Sequence, residues 1–190
     1  VWRADGGRVQ AMGGYLGNFA EFIATAKRGD GAAVSLEDLK EALAAMKGLR
    51  GGLLNIAAVS TAKYFVPRLL AAFRDNHPEV ELRLGVHNRE AIVQQLADNE
   101  IDLAIMGRPP QEIETVSEPF ADNPLVFIAA PDHPLAREKK IPLARLQEET
   151  FLVREPGSGT RIAMERFFAE REMHLKTGME VGSNEAIKQS

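Results

Sequence analysis

The pattern of apolar and polar positions divides this chain into short alternating segments from residue 52 onward. LLNIAAV (53–59) is a continuous apolar run of strand length, as expected for a strand buried on both faces of a parallel sheet. Ser60 and Thr61 follow, with hydroxyls suited to a helix start, and Phe65, Leu69, Leu70 and Phe73 form an apolar stripe at helical spacing. Pro67 fits if the main helix begins there after a short turn over 61–64, and Asn76-His77-Pro78 ends it. In EVELRLGV (79–86), Val80, Leu82, Leu84 and Val86 share one face by strict alternation. Asn88 then caps a helix to about Asp98, carrying Ile92, Val93 and Leu96, and IDLAIM (101–106) is another buried strand. Five elements in the order β-α-β-α-β with short connections predict an α/β fold with a parallel sheet.

Beyond Arg108-Pro109-Pro110 the rhythm changes. LVFIAA (125–130) is a strand between prolines, Pro131 to Pro142 is a basic connection, and 142–148 is a short helical segment. TFLVR (150–154), the loop EPGSGT, a helix over 161–171, TGMEV (177–181) and a last helix opened by Ser183-Asn184 repeat the α/β order. A second lobe is expected, with the boundary near residue 130.

Residues 1–50 follow a different pattern. Tyr15, Leu16, Phe19, Phe22 and Ile23 lie at helical spacing and predict an amphipathic helix, interrupted by KRGDGAA. Ser35 and Asp38 resemble a capping box for SLEDLKEALAAMK, whose Leu36, Leu39, Leu43 and Met46 repeat at spacings of 3, 4 and 3. That seam is read as pairing with another subunit, the alternative being a helix packed on its own domain.

Composition narrows the function classes. With 190 residues, 45% of them hydrophobic, the chain is long enough for a packed core. The absence of cysteine excludes disulfide scaffolds and thiolate metal sites. No apolar run reaches the roughly 18 residues of a membrane span, and VWRADGGRVQ lacks the pattern of an export signal, so a cytoplasmic location is expected. The net charge of -4, with 23 basic and 27 acidic residues, gives no basic face for gripping nucleic acid. Any DNA contact is expected to come from a part not in this sequence.

Three strand-to-helix junctions carry anion-friendly residues: Ser60-Thr61, Gly157-Ser158-Gly159-Thr160 and Ser183-Asn184. In an open parallel sheet such junctions lie at the carboxyl ends of strands, where helix-start amides offer a partial positive charge. The glycines of GSGT permit close approach to a ligand, and Arg154 and Arg161 flank it. Taken alone it reads as a glycine turn with Thr160 capping a helix; taken with the other two junctions it reads as a ligand site. It is neither a Walker loop nor GxGxxG. Arg89, in the first turn after Asn88, and Arg108, Lys63 and Tyr64 either face that site or cover surface.

No catalytic constellation stands out. His77, His87, His133 and His174 are scattered, and there is no G-x-S-x-G elbow. Asp102 could serve as a base but is read as a rim or capping residue, and Glu79 and Glu81 as solvated. No metal and no cofactor is expected.

The segment GLRGGLLNIAAVSTAKYFVPRLLAAFRDNHPEVELRLGVHNRE with LADNEIDLAIMGRPP resembles the effector-binding domain of LysR-type transcriptional regulators, over residues 47 to 190. Within that family STAKYF, NRE, FADNPLVFIAAPDHPLA, REPGSGTR and GSNEAIKQ are similar to the CbbR or RbcR branch, regulators of Calvin-cycle carbon-fixation operons. The resemblance implies two Rossmann-like lobes of the periplasmic-binding-protein type with an effector cleft between them. It assigns residues 35–50 to a linker and dimerisation helix, 51–130 to the first effector-binding lobe and 131–190 to the second, there truncated, and leaves 1–34 uncertain. Carried over by position, Ser60, Thr61, Arg89, Gly157, Gly159 and Thr160 fall where the family contacts effectors, with Asn184 a weaker transfer; Arg154, Ser158 and Arg161 come from the residues themselves. It implies a small anionic effector, a phosphorylated sugar or acid or NADPH, a homodimer or homotetramer, and DNA bound through a winged helix-turn-helix that this sequence lacks. A solute-binding protein of a transporter is the alternative, and an enzyme on the same scaffold is a third reading without an acid–base pair to support it.

Overall fold

The computed structural model describes the backbone over 10–26 and the chain over 52–190. The predicted helix over 35–50 lies outside the described residues. Tertiary contacts divide the chain into one unit of Ala20–Asn123 and another built on Pro124–Ser190.

The first unit is a doubly wound α/β sheet. Its strands are β2 (Gly52–Val59), β3 (Val80–His87) and β4 (Leu103–Met106). β2 lies between β3 and β4 and is parallel to both. Leu54, Ile56 and Ala58 of β2 pack with Val66, Leu70 and Phe73 of helix α1 (Val66–Asn76). Ala57, together with Ala104 and Met106 of β4, packs with Ile92 and Leu96 of helix α2 (Arg89–Ala97). Ile56, Ala57 and Ala58 are buried in succession because helices cover both faces of the strand there, which is why LLNIAAV shows no alternation. Pro67 sits in the first turn of α1 after a 3₁₀ turn over Ala62–Tyr64, and the Asn88 side chain accepts the Ala91 amide at 3.0 Å to cap α2. β3 keeps its predicted alternation except at Val86, which is exposed at the end of the strand.

The amphipathic helix predicted around Tyr15–Ile23 is instead a strand, β1 (Gln10–Ala26), antiparallel to β4 with Phe22 opposite Met106 and Thr25 opposite Leu103. Gly13, Gly14 and Gly17 weaken a helix, whereas Tyr, Phe and Ile suit a strand, and β4 offers an edge to pair with. The sheet order is β3-β2-β4-β1-β5, where β5 (Thr115–Ala129) begins ten residues earlier than its apolar core suggests. Pro119 and Pro124 obscure it in the sequence; a sheet-edge position accommodates residues without an amide hydrogen.

In the second unit β6 (Thr150–Arg154) pairs in parallel with β7 (Lys176–Val181), joined by helix α3 (Gly159–Ala169), and α4 (Asn184–Gln189) follows β7. The predicted helical segment near 142–148 is a 3₁₀ turn over Leu143–Gln147. The core is aromatic. Phe168 is fully buried, 5.8 Å from Phe127, 6.2 Å from Phe151 and 5.3 Å from Phe167 by ring centroids, in tilted or edge-on pairs.

Candidate functional site

In the first unit the parallel register decides which loops meet. Val59 lies opposite His87 and Ala58 opposite Ile105, so Ser60-Thr61, Asn88-Arg89 and Gly107-Arg108 leave the sheet at the same carboxyl edge. Arg89 occupies the first position of α2 and donates to the Pro109 carbonyl at 3.5 Å, linking two of these loops. Thr61 begins the 3₁₀ turn without its side chain capping it.

In the second unit the site is built on the GSGT turn. The Ser158 amide donates to the Glu155 carbonyl at 3.2 Å, and Gly157 has φ 79. A proline at the second position and a left-handed glycine at the third are the signature of a type II turn, and the glycine is required because other residues strain there. The turn delivers Ser158 to the cap position of α3, buried, with its hydroxyl not bonded to the helix; Thr160, expected as the cap, lies inside the first turn. Among the described residues the amides of Gly159, Thr160 and Arg161 have no acceptor, as the geometry of a helix start dictates. They and the helix dipole favour negative charge at this point.

Both flanking arginines are engaged inside the unit. Arg154, at the end of β6, is buried and pairs with the Glu155 carboxylate through two nitrogens, Nε to Oε2 at 2.7 Å and Nη2 to Oε1 at 2.9 Å. Its Nη1 donates to Asn184 Oδ1 at 2.7 Å and Nη2 to the Gly182 carbonyl at 3.5 Å. Arg161 donates to Glu165 and Glu180, each at 2.7 Å, and to the Arg154 carbonyl at 3.0 Å. Hydrogen bonds to these two carboxylates, Glu165 foremost, raise its pKa above the ordinary arginine value. The structure thus gathers Arg154, Gly157, Ser158, Gly159, Thr160, Arg161 and Asn184 around the ends of β6 and β7, and Ser60, Thr61 and Arg89 at the sheet edge of the first unit. Sequence reasoning missed the acidic partners. Glu165 was detectable four residues after Arg161, an ion-pair spacing on a helix, whereas Glu180 is brought near only by strand pairing.

A cavity of about 420 Å³ lies elsewhere in this unit, between α3 and β7, against Met164, Phe168, Met173, His174, Leu175 and Thr177. Arg161 is the one predicted site residue in its wall. Asp102, the residue with the clearest alternative as a base, is taken up by the backbone of β2: its Oδ2 accepts the Asn55 amide at 2.9 Å. Among the described residues no group of three or more His, Asp or Glu side chains could hold a metal ion, and no helix is long and apolar enough to cross a membrane.

The family profile of the LysR substrate binding domain matches residues 47–190 of this chain. The chain belongs to that family, with its periplasmic-binding-protein-like α/β fold. It is 54% identical over 156 residues to a RuBisCO operon transcriptional regulator of Allochromatium vinosum, covering 82% of this chain and 52% of that protein. It is 46% identical over 189 residues to the HTH-type transcriptional regulator CbbR of Rhizobium meliloti (strain 1021), covering 99% of this chain and 58% of the relative. With that protein the likeness takes in nearly the whole chain, including residues 1–34, which the sequence reading left outside the resemblance. The regulatory domain of Synechocystis PCC6803 CcmR in complex with 2-PG superimposes with a TM-score of 0.69 at 48% identity, over 73% of this chain and 66% of that one. The chain spans about half the length of the curated relatives it matches.

Proposed function

We propose that this chain is the effector-sensing region of a LysR-type transcription regulator that controls carbon-fixation genes in response to a small anionic, phosphorylated metabolite. The observation that carries the reading is the likeness, at 48% identity, to a regulatory domain solved with 2-PG, 2-phosphoglycolate, joined to this chain's own helix start at Gly159–Arg161, where amides without protein acceptors meet a buried serine. A phosphate suits that chemistry because it accepts several hydrogen bonds at once and carries the charge a helix start stabilises.

The residues assigned to the effector are Ser60, Thr61 and Arg89 on the first unit, and Gly157, Ser158, Gly159 and Thr160 on the second, bordered by Arg154, Arg161 and Asn184. In this reading residues 35–50 form the linker and dimerisation helix, 51–130 the first effector-binding lobe, and 131–190 belong to the second. The regulator works in the cytoplasm as a homodimer or homotetramer, without a cofactor and without catalysis, and reaches DNA through a winged helix-turn-helix domain. Effector binding shifts the population of subunit arrangements and so alters how that domain meets its operator. The named relatives are transcription regulators, which favours this reading over a transporter's solute-binding protein.

Calorimetric titration with 2-phosphoglycolate, NADPH and unphosphorylated glycolate tests the assignment. Saturable binding of a phosphorylated ligand with no binding of glycolate is expected. Equal binding of glycolate, or no binding of either phosphorylated compound, overturns it.

A further inference from the structure

We propose that Arg154 is a positioning residue: from behind the GSGT turn it locks the entry of α4 to the end of β6, and thereby sets the geometry of the anion-binding amides without touching the ligand. The inference rests on the reading of the 157–161 turn as the anion site.

Arg154 is in the wrong place to meet a ligand and the right place to hold the frame. Its side chain is 3% exposed, and Glu155 accepts from it through both carboxylate oxygens. Glu155 is the first residue of the turn that delivers Ser158, so the fork fixes where that turn begins. The same guanidinium reaches Asn184 and Gly182, which follow β7. The register brings these together, since Arg154 pairs with Val181 and both strands end there. The Arg154 carbonyl in turn accepts from Arg161, which is tied to Glu180 of β7 and Glu165 of α3. One arginine thus joins the turn before α3 to the entry of α4, and the second closes the network on the helix itself.

The planar guanidinium is essential to this role. It offers parallel donors to Glu155 and a further donor to Asn184 in one rigid group, which an ammonium on a flexible stem cannot reproduce. Lysine keeps the charge and loses the fork.

The test uses the full chain and 2-phosphoglycolate as probe, with Arg154→Lys, Asn184→Ala and the double variant, each titrated calorimetrically, with folding checked by circular dichroism. Arg154→Lys is expected to weaken binding about tenfold, the scale of a lost charge-assisted hydrogen bond. Asn184→Ala should weaken it comparably, and the double variant little further, because both break the same link. Wild-type affinity in Arg154→Lys or additive losses in the double variant overturns the positioning role. If Arg154→Lys fails to fold, wild-type affinity in Asn184→Ala overturns it. Wild-type protein that binds no phosphorylated probe overturns the anion site, and this inference with it.

Discussion

Asp102 and Asn55 exchange two hydrogen bonds at the start of the buried strand β4. The Asp102 amide donates to the Asn55 carbonyl at 2.9 Å while the Asp102 carboxylate accepts the Asn55 amide at 2.9 Å. A side chain here completes a ladder that the backbone alone leaves open on β2. Asp102→Ala strips the acceptor from a partly buried amide and is expected to destabilise the protein by about 1–3 kcal/mol. Urea denaturation measures this, and a loss smaller than the error of the midpoint contradicts the pairing.

Asn88 caps α2 through its side chain. Asn88→Ala should cost about 1 kcal/mol, whereas Asn88→Asp should be nearly neutral because it keeps the acceptor and complements the helix dipole. Thermal melts of the two variants separate capping from any effect of side-chain size.

Phe168 and Ile128 test where the second unit's core ends. Phe168→Ala empties the centre of the aromatic cluster and should cost about 3–5 kcal/mol. Ile128, 38% exposed, should lose far less on the same truncation. Comparable losses in chemical denaturation would place the core elsewhere.

Gly157 holds a left-handed conformation that places Ser158 at the cap of α3. Gly157→Ala should cost about 1–2 kcal/mol of stability and weaken 2-phosphoglycolate binding by more than Gly182→Ala does. Gly182 follows β7 with open space where a Cβ would stand. Paired calorimetric titrations decide the comparison.

Much of this was legible in the sequence because local chemistry was sufficient. The apolar runs of β2 and β4, the Asn88 cap, Pro67 at the start of α1 and the strand TFLVR each follow from side chains whose neighbours along the chain satisfy them. Where a neighbour far along the chain decides, the sequence misleads. Tyr15, Phe19 and Ile23 have helical spacing, but Gly13, Gly14 and Gly17 and the open edge of β4 favour a strand.

For the site, the sequence alone determined the kinds of residue available: glycines and hydroxyls at strand-to-helix junctions, with two arginines flanking GSGT. Only the tertiary structure decided what those arginines do. Glu155 is adjacent to Arg154, but Asn184 lies thirty residues away and Glu180 nineteen from Arg161. Parallel pairing of β6 with β7 brings them within hydrogen-bonding distance, so cations that read as free to greet an anion are bound to carboxylates and carbonyls of their own unit. Sequence patterns fix which local elements a chain can form; strand pairing fixes which charges meet, because electrostatic partnership depends on distance in space and not on separation along the chain.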